Sequence, residues 1–203
     1  MAAQKANPTR ITLERRRVVR RILKDRGDAL VVTGIGNASQ DCAAAGDHPG
    51  NFYLFGIMGG AAMVGLGMAL AQPKRRVVVI TGDGELLAGI GSLATIGMQA
   101  PRNLAIVVID NQAYGATGMQ DTHTGHGVDL AAIARGSGFP GTAMVTTTGE
   151  LDAVLPGIHH EPGPFLAVVK VQTKATTRIK VPNDGPYMRD RFRRALLGDA
   201  ADD

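Results

Sequence analysis

Cysteine, tryptophan and aromatic residues in general are scarce in this chain. Its 203 residues include one cysteine and no tryptophan, and aromatic residues make up 4% of the total. The single thiol, Cys42, excludes an internal disulfide and a metal site built from several cysteines, so we interpret it as a small buried apolar residue. The 27 glycines instead favour tight turns and close helix packing on an open sheet. The length predicts one α/β domain with terminal extensions.

Long apolar runs are also missing. Residues 1–21 contain no apolar segment like that of a secretion signal, and the most apolar later stretch, 56–72, is glycine-rich and short for a bilayer. We therefore expect a cytoplasmic protein without a membrane partner.

Positive charge is concentrated near the two ends. The net charge is +4, and basic residues cluster in 10–26 and 178–197. Both segments are amphipathic helix candidates, with Val18 and Ile22 on the first and Phe192 on the second. No nucleic-acid motif or aromatic interleaving accompanies the charge, so we expect solvated or subunit-facing helices and no nucleic-acid partner. The predicted organisation is an N-terminal basic helix (1–27), a central domain (28–173) and a C-terminal extension with a basic helix (174–203).

Apolar runs alternate with helical segments between these ends. Unbroken Val/Ile runs are typical of strands buried on both faces, and repeated strand–helix–strand order implies parallel pairing. The sequence predicts a doubly wound, mostly parallel six-stranded sheet with helices on both faces. The predicted strands are 29–34, 51–55, 76–81, 104–110, 142–147 and 165–171, and the predicted helices between them are 38–46, 59–71, 86–99, 128–137 and 149–159.

Polar or glycine-rich turns follow four of the apolar runs: GIGNASQD, GIMGG, GDGE and DNQAYG. In a parallel sheet these turns share the carboxyl edge, where ligands bind. Taken singly each is an ordinary turn, and Ser39 stands where a dinucleotide fingerprint has its third small residue. Together, Asp83 and Asn111 bring two oxygen side chains to one edge beside glycines that expose backbone amides. A diphosphate bound through Mg²⁺ would account for both turns.

The stretch GDGELLAGIGSLATIGMQAPRNLAIVVIDNQ resembles the cofactor motif of thiamine-diphosphate-dependent enzymes, which opens with GDG and closes with NN about two dozen residues later. Gln112 replaces the second Asn here. The resemblance implies that the Asp83 and Asn111 side chains and the Ala113 carbonyl bind Mg²⁺. It also implies a cofactor-binding set that contains Gly36, Asn37, Gly56, Met58, Gly82, Asp83, Gly84, Glu85, Asn111, Ala113, Tyr114 and Gly115.

A second segment, LFGIMGGAAMVGLGMALA, resembles the part of the same family in which a bulky apolar residue supports the bent cofactor. Met58 would be that support, and the Gly56 carbonyl would accept a hydrogen bond from the aminopyrimidine. Without the first motif, Met58 would be read as an ordinary core residue.

Over residues 10–190 the chain is similar to decarboxylases of the sulfopyruvate and phosphonopyruvate type. The resemblance implies a β-type subunit of a 2-oxo acid decarboxylase that is inactive alone and that uses thiamine diphosphate and Mg²⁺. A pyrimidine-domain (α-type) partner would supply the activating glutamate in a hetero- or homo-oligomer, and a small 2-oxo acid would be the substrate.

Several features leave alternatives open. Thr122, His123, Thr124 and His126 follow the cofactor turn and are candidates for contacts with the substrate; we name His123 and His126 as candidate catalytic residues. Glu85 either points away from the cofactor or changes the charge of the pocket. The alternatives to a decarboxylase are a subunit of a thiamine-diphosphate-dependent 2-oxo acid oxidoreductase and a non-catalytic nucleotide-binding partner.

Overall fold

The computed structural model describes residues 11–174 and 176–201. Its strands are β1 Leu30–Thr33, β2 Asn51–Tyr53, β3 Val77–Gly82, β4 Leu104–Asp110, β5 Ala113–Tyr114, β6 Gln120–Asp121, β7 Gly141–Val145 and β8 Phe165–Lys170. Its α-helices are α1 Arg15–Lys24, α2 Asn37–Ala45, α3 Ala61–Ala71, α4 Asp83–Ala88, α5 Ser92–Gln99, α6 Leu130–Gly136, α7 Thr148–His159 and α8 Gly185–Leu197, with 3₁₀ turns at His123–His126 and Gly198–Ala201.

Six strands form one parallel sheet in the order β2-β1-β3-β4-β8-β7. The short strands β5 and β6 pair separately as an antiparallel hairpin. Every residue of β1 and β4 is buried, as expected for strands covered on both faces. The predicted doubly wound six-stranded α/β fold is therefore confirmed, and its main sheet is wholly parallel.

Two apolar layers cover the sheet. On one face α1, α2 and α7 pack against strand residues such as Val31, Val78 and Val107. On the other face α3, α5, α6 and α8 pack against the alternate residues, such as Val32 and Val79. Both terminal basic helices thus contribute apolar side chains to these layers, while the division at 27 and 173 stays a prediction.

The helix predicted over 86–99 is wrong in one respect, because it is two helices. The chain breaks between α4 and α5 at Gly89–Gly91. A Cβ at Gly89 would lie 2.2 Å from the carbonyl oxygen of Gly59, so the main chains of two distant turns are in contact there. No local pattern announces this contact.

No helix among the described residues has the length and apolarity needed to cross a lipid bilayer.

Candidate functional site

A cleft opens at the carboxyl edge of the sheet, between the turns that follow β1, β3 and β4. Strand β1 continues to β2 on one side, whereas β3 pairs with it on the other side, so the chain reverses its winding direction there. Such a switch point is where doubly wound sheets bind ligands. The lining residues include eleven of the predicted cofactor-binding residues: Gly36, Asn37, Met58, Gly82, Asp83, Gly84, Glu85, Asn111, Ala113, Tyr114 and Gly115.

The three predicted cation ligands lie close together at the carboxyl ends of β3 and β4. One terminal amide atom of Asn111 lies 3.2 Å from Asp83 Oδ1 and 2.9 Å from the Ala113 carbonyl oxygen. Without a cation, the amide nitrogen occupies this position and donates to both oxygens. With the amide turned over, the Asn111 oxygen lies 3.2 Å from Asp83 Oδ1 and 2.9 Å from the Ala113 carbonyl oxygen, close to the separation of about 3 Å that adjacent ligands of an octahedral Mg²⁺ have. The residues present therefore fit a small, hard cation.

The turn that carries Asn111 is held by its neighbours on both sides. Gln112 has a left-handed backbone with φ of 60°, and its amide donates to Asp110 Oδ1 at 3.0 Å. Thr173, just beyond β8, donates its hydroxyl to the Asn111 carbonyl at 2.7 Å. Both bonds fix the main chain between Asp110 and Ala113, and with it the direction of the Asn111 side chain.

Glycines form the floor of the cleft next to this site. A Cβ at Gly82 would meet no atom within 4 Å, so the floor is open there. The Tyr114 ring covers Gly84 so closely that a Cβ would lie 2.3 Å from Cε1. Gly115 is covered by a different side chain, because a Cβ there would lie 2.6 Å from Asn37 Nδ2. The main chain is thereby left accessible to a phosphate-sized group at Gly82.

Glu85 is a buried residue at the cleft, and its carboxyl group holds the turn that carries Met58. Its Oε1 accepts from the amides of Gly59 and Ala61 at 3.0 and 3.2 Å, and its Oε2 accepts from the Thr81 hydroxyl. Burial raises the pKa of Glu85, and the backbone hydrogen bonds oppose that shift. The Glu85 carboxyl group therefore stabilises the main chain at Gly59 and Ala61, and its effect on a bound cofactor stays a prediction.

Met58 and Gly56 do not share one environment. Met58 lines the cleft and is 47% exposed, which suits a support for a ligand. Gly56 lies in an exposed turn with φ of +74° and is not among the lining residues. Its proposed carbonyl contact therefore needs a ligand that extends beyond the cleft.

A buried polar cluster lies beneath Asp83. Thr122 donates to Asp83 Oδ2, and Thr124 Oγ1 lies 3.0 Å from Asp83 Oδ2 and 2.8 Å from Asp110 Oδ1. Lys170 pairs with Asp110 Oδ2 at 2.6 Å. Burial and then the charge of Asp110 raise the pKa of Asp83, which indicates a place where a bound cation would be favourable. Sequence reasoning missed Lys170, because its position next to Asp110 follows from the register that pairs β4 with β8.

The two candidate catalytic histidines are not brought into this arrangement. His123 and His126 lie on the exposed 3₁₀ turn, and His126 Nε2 is 3.6 Å from Asp121 Oδ2. Neither lines the cleft. The neighbouring threonines, Thr122 and Thr124, make the contacts with Asp83 instead. The catalytic role of the two histidines stays a prediction.

Arg15 is a cleft residue that no sequence signal indicated. It lies on α1 and is 4% exposed. Its guanidinium pairs with Asp41 at 2.8 Å and bonds the Thr176 hydroxyl. Burial lowers the pKa of Arg15 while Asp41 opposes the shift. This cation therefore ties α1 to α2 and to the segment after β8 at the wall of the cleft.

Fold and cleft together define a ligand-binding domain of the doubly wound α/β class. The family model for the C-terminal TPP-binding domain of thiamine pyrophosphate enzymes matches residues 34–169. The chain belongs to this family, whose cofactor is also called thiamine diphosphate.

Individual relatives agree with that assignment. The β subunit of sulfopyruvate decarboxylase from Methanocaldococcus jannaschii is 43% identical over 123 residues, which are 60% of this chain and 65% of that protein. Phosphonopyruvate decarboxylase from Streptomyces viridochromogenes is 39% identical over 193 residues, 95% of this chain and 47% of that protein. The chain thus spans about half to two thirds of these relatives.

Solved structures show the same fold. A putative thiamin diphosphate-dependent enzyme from Mycobacterium smegmatis superposes with a TM-score of 0.69 at 26% identity, covering 80% of this chain and 32% of that one.

Proposed function

We propose that this chain is the β-type subunit of a 2-oxo acid decarboxylase that depends on thiamine diphosphate and Mg²⁺ and acts on sulfopyruvate- or phosphonopyruvate-like substrates. The observation that carries the proposal is the convergence of Asp83, Asn111 and the Ala113 carbonyl beside the open main chain at Gly82. The similarity to sulfopyruvate decarboxylase and phosphonopyruvate decarboxylase supports the reaction class.

The residues of the cleft have distinct tasks in this proposal. Asp83, Asn111 and the Ala113 carbonyl would hold Mg²⁺, and the amides near Gly84 and Glu85 would bind the diphosphate. Met58 would support the cofactor from the side. Bound thiamine diphosphate supplies the stabilisation of negative charge on carbon that decarboxylation of a 2-oxo acid requires. The residues of the chain would bind the cofactor, orient it and shield it from water.

A partner is needed because none of the chain's glutamates is placed to activate the cofactor. Glu14 pairs with Arg17 on the surface, and Glu150 closes a capping box at the start of α7. Glu85 is committed to main-chain amides. Glu161 is exposed in the turn after α7 and is not a cleft residue. An α-type subunit with a pyrimidine-binding domain would supply the glutamate.

An exposed apolar edge next to the cleft supports the same conclusion. Phe55, Ile57 and Met58 are 47%, 55% and 47% exposed. Contiguous apolar side chains of this size on a protein surface mark an interaction site. The partner would cover this edge and complete the hetero-oligomer.

In the proposal, the residues that could recognise an anionic substrate lie on two segments of the chain. Arg15 lines the cleft, and its guanidinium is already bound to Asp41 and Thr176. His123 and His126 would reach an anionic head group only if the partner brings it to their exposed turn. Alanine variants of each, assayed in the complex, test that role through the dependence of kcat/KM on pH.

The test is a calorimetric titration of thiamine diphosphate and Mg²⁺ into the chain, with and without a co-expressed pyrimidine-domain partner, followed by carbon dioxide release from a panel of 2-oxo acids. We expect binding that tightens with the partner and turnover only in the complex. Absence of binding in both preparations would overturn the proposal. Reduction of an added electron acceptor during turnover would favour the oxidoreductase alternative, and preferential binding of NAD would favour a nucleotide-binding partner.

A further inference from the structure

We propose that Thr124, together with Thr122, is a positioning residue that sets the cation affinity of the site by orienting the Asp83 carboxylate. The inference rests on the proposed function, because it concerns the cation that Asp83 would bind. Neither threonine touches the cation in this proposal. Each acts through the carboxylate.

The two oxygens of Asp83 have separate surroundings. Oδ2 faces the hydroxyls of Thr122 and Thr124, whereas Oδ1 faces Asn111. Thr122 and Thr124 are 0% and 5% exposed, and Asp83 is 1% exposed. The carboxylate is therefore fixed in rotation, and a single oxygen is presented to the cation.

The two hydroxyls have different neighbours, and each has one proton to donate. A threonine hydroxyl donates one hydrogen bond and accepts others. Thr122 donates to Asp83 Oδ2. Thr124 Oγ1 lies 2.8 Å from Asp110 Oδ1, 3.0 Å from Asp83 Oδ2 and 2.9 Å from Thr122 Oγ1. Thr124 is thus a side chain whose hydroxyl lies within hydrogen-bond distance of both carboxylates, Asp83 and Asp110, and it donates its one proton to one of them at a time.

This bridge connects the two strands that deliver the ligands. Asp83 follows β3, and Asp110 ends β4 immediately before Asn111. Lys170 on β8 pairs with Asp110 and compensates one of the two negative charges. The distance between the Asp83 and Asn111 ligands therefore depends on a hydroxyl at position 124. Groups that hold a metal ligand in this way change metal affinity by about 10- to 100-fold when they are removed.

The experiment measures Mn²⁺ binding by the electron paramagnetic resonance signal of the free ion, in the presence of thiamine diphosphate, with the full chain. The variants are Thr124→Val, which keeps the shape and loses the hydroxyl, and Thr124→Ser, which keeps the hydroxyl. Thr147→Val is the matched control, because Thr147 uses its hydroxyl to cap α7 and does not line the cleft. Thermal midpoints are recorded for all of them.

We expect Thr124→Val to raise the Kd for Mn²⁺ by about 10- to 100-fold and Thr124→Ser to restore it to near the wild-type value. Thr147→Val should lower the thermal midpoint without changing the Kd. If Thr124→Val does not fold, the pair Thr122→Val and Thr122→Ser provides the same comparison.

Equal Mn²⁺ affinity in wild type and Thr124→Val would overturn the inference while leaving the proposed function intact. A loss in Thr124→Ser as large as that in Thr124→Val would also overturn it, because shape rather than the hydroxyl would then be responsible. Absence of Mn²⁺ binding by the wild type, with thiamine diphosphate present, would remove both this inference and the cation in the proposed function.

Discussion

Gly82 and Gly84 flank the same aspartate, but the space next to their Cα atoms differs. Gly82 has an ordinary extended backbone with φ of −94°, and a Cβ there would enter open space in the cleft. We expect Gly82→Ala to leave the thermal midpoint nearly unchanged and to weaken thiamine diphosphate binding, because the methyl group would occupy room for the ligand. Calorimetric titration together with a thermal melt measures both.

The comparison variant is Gly84→Ala. Its Cβ would lie 2.3 Å from the Tyr114 ring, so we expect a loss of stability of roughly 1–3 kcal/mol from overpacking. Similar cofactor affinity in Gly82→Ala and wild type would show that the diphosphate does not lie against this part of the floor.

His159 shows what a local sequence pattern leaves out. Two adjacent histidines at the end of a helix are typical of a helix cap or of the protein surface. His159 is instead 8% exposed, because the last turn of α7 carries Ile158 into the apolar layer to which α1 contributes Ile22. A local sequence pattern shows where a helix ends but not which side of its last turn is covered.

Burial lowers the pKa of His159 from its ordinary value of 6.5. The unfolded chain therefore takes up a proton at this position at a higher pH than the folded chain does. The stability contributed by neutral His159 is present above pH 6.5 and is lost as the pH falls below that value. We expect His159→Leu to show a smaller loss of stability between pH 7.5 and pH 5.5 than wild type, measured by urea unfolding. His160→Gln, at the exposed neighbour, should keep the wild-type dependence.

At the scale of elements, the contact between Gly59 and Gly89 fixes the turn that carries Met58. Gly89→Ala would place a methyl group 2.2 Å from the Gly59 carbonyl oxygen. The turn must then move, and we expect a loss of roughly 1–3 kcal/mol in the free energy of unfolding together with weaker cofactor binding. Gly91→Ala is the control, because a Cβ at Gly91 meets nothing within 4 Å and its φ of −61° suits alanine. Equal effects of the two variants would contradict the role of the contact.

The same elements show what the sequence can and cannot predict. The buried strands β3 and β4 were recognisable because their unbroken Val/Ile runs need no partner to be identified, and Asp83 and Asn111 follow as the polar residues at their ends. The break between α4 and α5 and the pairing of Lys170 with Asp110 depend on contacts distant in sequence. They follow from strand order and register, which the one-dimensional pattern does not contain.

At the scale of the whole molecule, the two basic terminal helices are attached by more than apolar packing. On α8, Arg191 pairs with Asp47, and the Phe192 ring lies 5.2 Å from that of Phe52 in an edge-on arrangement. On α1, Arg15 and Arg16 both reach the buried Asp41. Arginines of both terminal helices are therefore paired with carboxylates of the same chain, and the absence of a nucleic-acid partner stays a prediction.

The exposed apolar edge beside the cleft leads to a prediction about assembly. Ile57 is 55% exposed, and a charge there should cost little in the isolated chain because the side chain already meets water. Covered by a partner, the same charge would be desolvated without a counterion. We expect Ile57→Asp to weaken association with the pyrimidine-domain subunit by roughly 30-fold or more, the loss of about 2 kcal/mol that defines an interface hot spot, while the thermal midpoint of the chain alone is unchanged.

Met98→Asp is the control, since Met98 is 74% exposed on α5 and does not line the cleft. Analytical ultracentrifugation of the mixed subunits measures the association, and wild-type affinity in Ile57→Asp would place the partner on another face of the sheet.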